Sequence, residues 1–315
     1  MRVAPVIFLL SGCQDYDVHR MKDFDSFIQG EPASPMDVLW LIDNSATMSE
    51  EQELVALEMT EFVDILVQAQ VDVHIGIITT DVSNGGALVG DILTLDTPDL
   101  GETLIEQAQV GISGDRYEKH LESLTMSCSS EMRSGANAGM FRPEASLQVI
   151  VLTDEDDQSE GAPEAYLDTM LDWKEDQPMQ VSAIAGSMPD GCHSLLAEAE
   201  AAPRLLDAVN YTGGQFESIC EDDFGPVLSS MALGATGMTN RFELTDFPAL
   251  ESLVVWVDEV RIHERPHDGW QYSPGDNSIV FDGMSIPRPS QQVKIEYYDL
   301  LGADAAMVED SGTTQ

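Results

Sequence analysis

Oxygen-bearing side chains cluster where an apolar segment ends, in the sequence DVLWLIDNSATM. Asp43 follows the apolar run 38–42, and Ser45 and Thr47 lie two and four residues after it. A second apolar run also ends at a carboxylate, Asp154. Carboxylate and hydroxyl oxygens bind hard cations, and Mg²⁺ prefers about six of them at about 2.0–2.1 Å. These residue types therefore predict a site for Mg²⁺, or for Mn²⁺ or Ca²⁺, if the two segments are neighbours.

The elements that must position these residues alternate along the first two thirds of the chain. Four apolar runs predict buried parallel strands, because central parallel strands are hydrophobic on both faces. These runs are 38–42, 71–80, 147–153 and 179–186. Helical spacing between them predicts helices, at 51–70, 117–124, 163–173 and 194–209. The alternation predicts a doubly wound, Rossmann-like α/β sheet, in which ligands bind outside the carboxyl ends of the strands.

A different pattern begins near residue 237. Short segments there alternate apolar and polar residues, and turn sequences such as SPGDN and PRP separate them. We therefore expect a main α/β domain at 36–236 and a small, β-sandwich-like antiparallel domain at 237–302. The polar residues 303–315 are expected to form a flexible tail.

The charge balance restricts the partners of the protein. The chain has 14 basic and 57 acidic residues, which gives a formal net charge of −43. Such a surface repels phosphate backbones and anionic lipid headgroups, so nucleic-acid binding is excluded. The same surface attracts divalent cations.

The N-terminal sequence MRVAPVIFLLSGC is typical of an export signal. One basic residue, Arg2, precedes an apolar stretch that is too short to span a bilayer. The end of the stretch resembles the lipobox of bacterial lipoproteins, which implies cleavage before Cys13 and a lipid anchor on it. We therefore expect a signal segment at 1–13, a polar tether at 14–35 and location in the bacterial cell envelope. Gln14 follows Cys13, where an Asp would resemble an inner-membrane retention signal. Its absence favours the outer membrane.

The sequence DNSATM resembles the Asp-x-Ser-x-Ser metal-ion-dependent adhesion motif of von Willebrand factor A domains. This resemblance implies that Asp43, Ser45 and Thr47 are metal ligands of the first loop, and that Asp154 is a ligand of the third. It also implies adhesion or assembly rather than enzymatic turnover, with an Asp or Glu of a protein partner completing the coordination of the ion.

The resemblance also implies a hydroxyl ligand from a middle loop. Ser113, in the sequence GISGDRYEKHLESL, is the best match, although Ile112 could occupy that position instead. Two residues depart from the family pattern: Thr47 replaces Ser, and Ala46 replaces a frequent Gly. A structural envelope lipoprotein with a vestigial metal site is therefore an alternative.

Three cysteines remain if Cys13 carries a lipid. Export predicts one disulfide and one free thiol among them. Resemblance to the bacterial subgroup of the family implies the pair Cys192–Cys220 and leaves Cys128 free. The residues alone also allow Cys128 to pair with either of the others.

A phosphotransferase of the haloacid-dehalogenase type is the enzymatic alternative. Such enzymes also end a first strand on Asp, a second on Thr or Ser (Thr79 here), and have a later acidic pair, here Asp156 and Asp157. Their Asp-x-Asp-x-Thr motif has a general acid at the position of Ser45, and a hydroxyl cannot replace it near neutral pH. The sequence therefore favours a non-enzymatic protein.

Overall fold

The structure is a computed structural model that describes residues 22–32, 35–174, 177–195 and 197–300. The expected signal segment 1–13, with Cys13, and the expected tail 303–315 lie outside the described residues. The first part of the expected tether, 14–21, also lies outside them. These three expectations stay predictions.

Strands and helices alternate between residues 36 and 236, and strands predominate on either side. The described strands are β1 (Asp23–Ile28), β2 (Met36–Ile42), β3 (Val73–Thr79), β4 (Ser146–Leu152), β5 (Met179–Ala185), β6 (Cys192–His193), β7 (Glu198–Ala199), β8 (Phe216–Ser218), β9 (Arg241–Glu243), β10 (Val254–Val257), β11 (Val260–Ile262), β12 (Trp270–Ser273), β13 (Ser278–Phe281) and β14 (Gln292–Tyr297). The described α-helices are α1 (Ser49–Ala69), α2 (Leu100–Ala108), α3 (His120–Ser127), α4 (Ser130–Ser134), α5 (Pro163–Lys174), α6 (Pro203–Thr212) and α7 (Gly225–Thr236).

A five-stranded parallel sheet forms the centre of the main domain, in the order β3-β2-β4-β5-β8. Every residue of the central strand β2 is buried, as its apolar run predicts. Ile42 lies opposite both Thr79 and Leu152, so three strands end at the same level. The doubly wound, Rossmann-like α/β fold is thereby confirmed, and Asp43 and Asp154 lie at the same edge of the sheet.

Helices cover both faces of this sheet. Side chains of β2 alternate between two hydrophobic cores: Trp40 belongs to the core under α1, α2 and α7, and Leu41 to the core under α3, α5 and α6. The rings of Trp40 and Phe62 of α1 meet edge to face, with centroids 5.5 Å apart. Burial on both faces makes the sheet a rigid support for the loops at its edges.

A buried cluster of charges ties α5 to the opposite edge of the sheet. Lys174 is fully buried, and its Nζ donates to the backbone oxygens of Ala145 at 2.6 Å and Arg142 at 2.9 Å. Asp37 lies 3.5 Å from the same amine and accepts from the Arg142 guanidinium at 2.8 Å. Burial raises the pKa of Asp37 and lowers that of Lys174. Hydrogen bonds to every charge offset this desolvation.

The expected antiparallel β domain is present as two sheets, with strand orders β1-β14-β10-β11 and β12-β13-β9. Aromatic side chains fill the space between them. The ring of Phe242 lies 5.4 Å from that of Phe27 in one sheet and 5.6 Å from that of Phe281 in the other. The Phe27–Phe242 pair therefore joins the two sheets.

The prediction of a tether at 14–35 is wrong for residues 23–28, because they form the edge strand β1 of this domain. β1 pairs with β14 near the other end of the chain, from Asp23↔Tyr297 to Ile28↔Gln292. Asp25 accepts hydrogen bonds from the hydroxyls of Tyr297 and Thr245, both at 2.7 Å. The partner is distant in sequence, and one face of this short strand is solvent-exposed, so its local composition resembles a tether.

Within the part of the chain that the structure describes, no helix has the length and apolar character that crossing a membrane requires.

Candidate metal centre

Asp43 is held in one orientation at the carboxyl end of β2. Its side chain is completely buried, and its backbone N–H donates to Leu152 of β4 at 2.9 Å. One carboxylate oxygen accepts from the Ser45 N–H at 2.8 Å, and the other accepts from the Thr153 hydroxyl at 2.7 Å. The loop turns immediately after the strand, because the Asp43 side chain accepts from the backbone N–H two residues further along the chain.

The turn brings the two predicted hydroxyl ligands together. The Ser45 and Thr47 hydroxyl oxygens lie 2.9 Å apart. The loop is anchored by Gln52 of α1, whose amide donates to the backbone oxygens of Asp43 at 2.7 Å and Gly111 at 3.0 Å. The first-loop oxygens are therefore positioned before any ion binds.

Asp154 approaches this pair of hydroxyls from the end of β4. Its side chain is only 6% exposed, and its Oδ1 has no hydrogen-bond partner among the described residues. The pKa of Asp154 is raised to about 7: burial is the main cause, a hydrogen bond with the Thr47 hydroxyl opposes it in part, and the charges of Asp43 and Glu51 add to the rise. Asp154 is thus a buried carboxyl group beside the first-loop oxygens, with one of its two oxygens unpartnered.

Ser113 lies near this centre but is exposed. Its loop docks through the neighbouring Gly114, whose N–H donates to the Asn44 backbone oxygen at 2.8 Å. Among the described residues, no hydrogen bond joins Ser113 to the other four predicted ligands. Its role as the middle-loop ligand stays a prediction, as do the roles of Asp43, Ser45, Thr47 and Asp154 as ligands.

Glu118 is a carboxylic acid of the centre that the sequence did not indicate. It is completely buried, its Oε2 accepts from the Thr80 hydroxyl, and its Oε1 has no partner among the described residues. Burial, followed by the charge of nearby Asp43, raises its pKa to about 8. Glu118 is therefore mostly protonated at neutral pH in the metal-free protein.

No local pattern distinguishes Glu118 from the other acidic residues. It lies two residues before α3 in a stretch of polar side chains, as surface glutamates commonly do. The only usable signal is its position in the same loop as Ser113, where the family resemblance requires a ligand.

This donor set suits a hard divalent cation. Among the described residues, no group of three or more His, Cys, Asp or Glu side chains is arranged as a metal site, so the centre depends on mixed carboxylate and hydroxyl donors. Such donors match Mg²⁺, Mn²⁺ or Ca²⁺ better than softer metals. The unpartnered oxygen of Asp154 is the clearest fit, because a bound cation would compensate its buried charge.

The acidic pair required by the phosphotransferase alternative lies in other interactions. Asp156 accepts from the backbone N–H groups of Arg204 and Leu205 at the start of α6, at 3.0 and 3.2 Å. Asp157 pairs with the Arg204 guanidinium at 2.9 Å. These carboxylates stabilise α6 and its loop, and neither is available for chemistry at Asp43.

A disulfide borders the centre. Cys192 and Cys220 are bonded, with Cα atoms 6.0 Å apart, so the pairing implied by the family resemblance is confirmed. Cys128 is free and buried, and burial raises the pKa of its thiol to about 12.

Solved structures similar to this chain include von Willebrand factor A proteins. A von Willebrand factor type A structure from Catenulispora acidiphila is 12% identical, with 89% of this chain and 66% of that chain covered and a TM-score of 0.43. The pilus adhesin SpaC of Lactobacillus rhamnosus GG is 12% identical, with 87% and 40% covered and a TM-score of 0.46. Proximal thread matrix protein 1 from the mussel byssus, with a zinc-occupied MIDAS motif, is 14% identical, with 70% and 51% covered and a TM-score of 0.39.

No family model and no curated protein matches the sequence. The chain spans about half the length of the mussel protein and 40% of the pilus adhesin. At these identities and TM-scores, the similar structures assign no residue a role in this chain. The fold and the centre rest on the strands, hydrogen bonds and burial described above.

Proposed function

We propose that the protein binds one divalent cation through Asp43, Ser45, Thr47 and Asp154, and that the ion binds a carboxylate of a protein partner. Its role is non-enzymatic adhesion or assembly in the bacterial cell envelope. A lipid on Cys13 anchors it, and the outer membrane is the favoured location.

One observation carries the cation site. The hydroxyls of Ser45 and Thr47 lie 2.9 Å apart at the end of β2, beside a buried carboxyl oxygen of Asp154 that has no partner among the described residues. Hydroxyl ligands add no negative charge, so the bound ion would still attract a carboxylate from outside. Mg²⁺ is the first candidate, with Mn²⁺ and Ca²⁺ as alternatives.

Calorimetric titration with Mg²⁺ and Mn²⁺ tests the cation site. The sample is the chain from residue 14 onward, in enough salt to screen diffuse binding to the acidic surface. We expect one stoichiometric site that Asp43→Asn abolishes. Asp172→Asn is the control, because it removes an equal charge from an exposed position on α5.

Identical weak heats from all three proteins would contradict the proposal and indicate a scaffold with a vestigial site. A chelator assay tests the adhesive role once a partner is available. Binding that is equally tight in EDTA and in Mg²⁺ would exclude a cation-mediated contact.

A further inference from the structure

We propose that a groove beside the metal centre receives a basic segment of the protein partner, in which Lys or Arg lies next to the carboxylate that reaches the cation. This inference rests on the proposed function and specifies the chemistry of the partner.

The groove has a volume of about 820 Å³ and opens directly from the metal centre, since Thr47 and Asp154 form part of its lining. Three segments build it: the start of α1, the loop after β4, and the β6–β7 hairpin. Each contributes carboxylates, which include Glu50, Glu51, Asp154, Glu155, Glu198 and Glu200. None of the described residues that line the groove is Lys or Arg.

Two of these carboxylates are buried and only partly hydrogen-bonded. Glu51 is 5% exposed and Asp154 is 6% exposed, and each has an oxygen without a hydrogen-bond partner among the described residues. An unpaired buried carboxylate is costly, so the groove is most favourable when positive charge enters it. One metal ion could compensate Asp154, but the rest of the acidic wall extends beyond that centre.

The occupant must come from a different protein. A second copy of this chain would bring its own net charge of −43 and would be repelled. A partner segment with one acidic side chain and neighbouring basic ones matches both the cation and the acidic wall.

The hairpin wall is preformed. The Glu200 N–H donates to the Asp154 backbone oxygen at 2.9 Å, and the Cys192–Cys220 bond holds the base of the hairpin. The backbone at Gly186 lies so close to the hairpin that an added Cβ would be 1.7 Å from the backbone oxygen of Glu200. Gly191 has a φ of +83°, in the left-handed region that favours glycine. A wall fixed in this way loses little conformational entropy when a segment binds.

Two synthetic peptides test the inference. One has the sequence Gly-Asp-Gly-Lys-Lys-Gly and the other Gly-Asp-Gly-Gln-Gln-Gly, both with blocked ends, so that only the basic side chains differ. Chemical-shift titration up to millimolar peptide measures binding in Mg²⁺ and in EDTA. The groove variant is Glu198→Gln/Glu200→Gln, whose side chains are both exposed. The charge-matched control is Glu144→Gln/Asp172→Asn, at exposed positions away from the groove.

We expect the lysine peptide to bind about tenfold more tightly than the glutamine peptide in Mg²⁺, a difference of about 1.4 kcal/mol. The groove variant should lose this difference, and the control variant should keep it. Equal affinities for the two peptides, or no binding of the lysine peptide, would overturn the inference. A calorimetric Mg²⁺ site in the same sample would then leave the proposed function standing.

Failure of the proposed function has a different signature. The lysine peptide would bind equally well in EDTA and to Asp43→Asn, yet more weakly to the groove variant. That result would separate recognition of basic segments from the cation and would overturn the linked site proposed here.

Discussion

The metal centre contains more buried acid than the adhesion motif requires. The motif accounts for Asp43 and Asp154, whereas buried Glu118 interacts with the charge of Asp43, and Glu51 of α1 with the charge of Asp154. Burial, and after it the negative charge of Asp43, raises the pKa values of Asp154 and Glu118 to about 7 and about 8. Protons would therefore compete with the proposed cation at this centre.

These raised pKa values predict how the stability of the metal-free protein depends on pH. In EDTA, folded Asp154 and Glu118 keep their protons up to about pH 7 and 8, whereas in the unfolded chain both ionise near pH 4. The folded state therefore binds more protons in this window, and the free energy of unfolding falls as pH rises through it. Urea denaturation from pH 5 to 8.5 should show a loss on the order of a few kcal/mol.

Glu118→Gln is the control for that series, because glutamine has a similar shape and no charge. It should flatten the decline above pH 7, and the Thr80 hydroxyl would still have an acceptor. Saturating Mg²⁺ should reverse the decline in the wild type, since the ion would compensate the ionised groups. An unchanged slope in the variant would show that Glu118 does not titrate in this range.

At the level of elements, the end of α5 depends on one buried amine. Lys174→Met keeps the length of the side chain but leaves the backbone oxygens of Arg142 and Ala145 without this donor. It also removes a positive charge from beside buried Asp37. We expect the free energy of unfolding to fall by about 3 kcal/mol, measured by urea denaturation.

Lys119→Met is the matched control, because Lys119 pairs with Glu122 at 2.9 Å with both side chains partly exposed. Exposed ion pairs contribute little, so this variant should unfold like the wild type. Equal losses in the two variants would mean that the cluster around Lys174 adds no stability of its own.

The β6–β7 hairpin is the second element that makes a prediction of its own. Each of its strands has two residues, too few to persist without support. Cys192→Ser/Cys220→Ser should lower the free energy of unfolding by about 3–4 kcal/mol in the chain-entropy model, measured by urea denaturation under oxidising conditions. Cys128 cannot substitute readily, because its buried thiol has a pKa of about 12. Unchanged stability would show that the hairpin is held by its other contacts alone.

At the level of the whole molecule, α1 separates the metal centre from the β domain. In its first turn, the Gln52 amide donates to the Asp43 backbone oxygen. In its last turn, the Gln68 amide donates to the Gly283 backbone oxygen at 3.5 Å. A helix of 21 residues is about 30 Å long. β1 belongs to the β domain, through its pairing with β14.

Deletion of the first 35 residues tests how far the fold depends on β1. The chain from Met36 should lose the pairing with β14 and the Phe27–Phe242 contact, and expose an open sheet edge. We expect a lower melting temperature and self-association in size-exclusion chromatography. The chain from residue 14 should be monomeric. If both chains have the same melting temperature and elution volume, β1 adds no stability.

Much of the main domain could be predicted from local sequence. The apolar runs of β2 and β4 are buried on both faces, and each ends in Asp at the edge where open sheets bind ligands. The pairing of Cys192 with Cys220 followed from the family resemblance. The strand β1 could not be predicted, since its six residues have a partner only at the other end of the chain.

The sequence by itself determined the alternation of strands and helices, the identity of the first-loop oxygens and the acidic character of the surface. Periodicity and residue type are local properties, so they survive without a structure. Only the tertiary structure decided that Glu118 is buried near Asp43 and that carboxylates of three distant segments line one groove. Those facts depend on which loops meet at the sheet edge, because burial and proximity determine whether an acidic side chain is solvated or uncompensated.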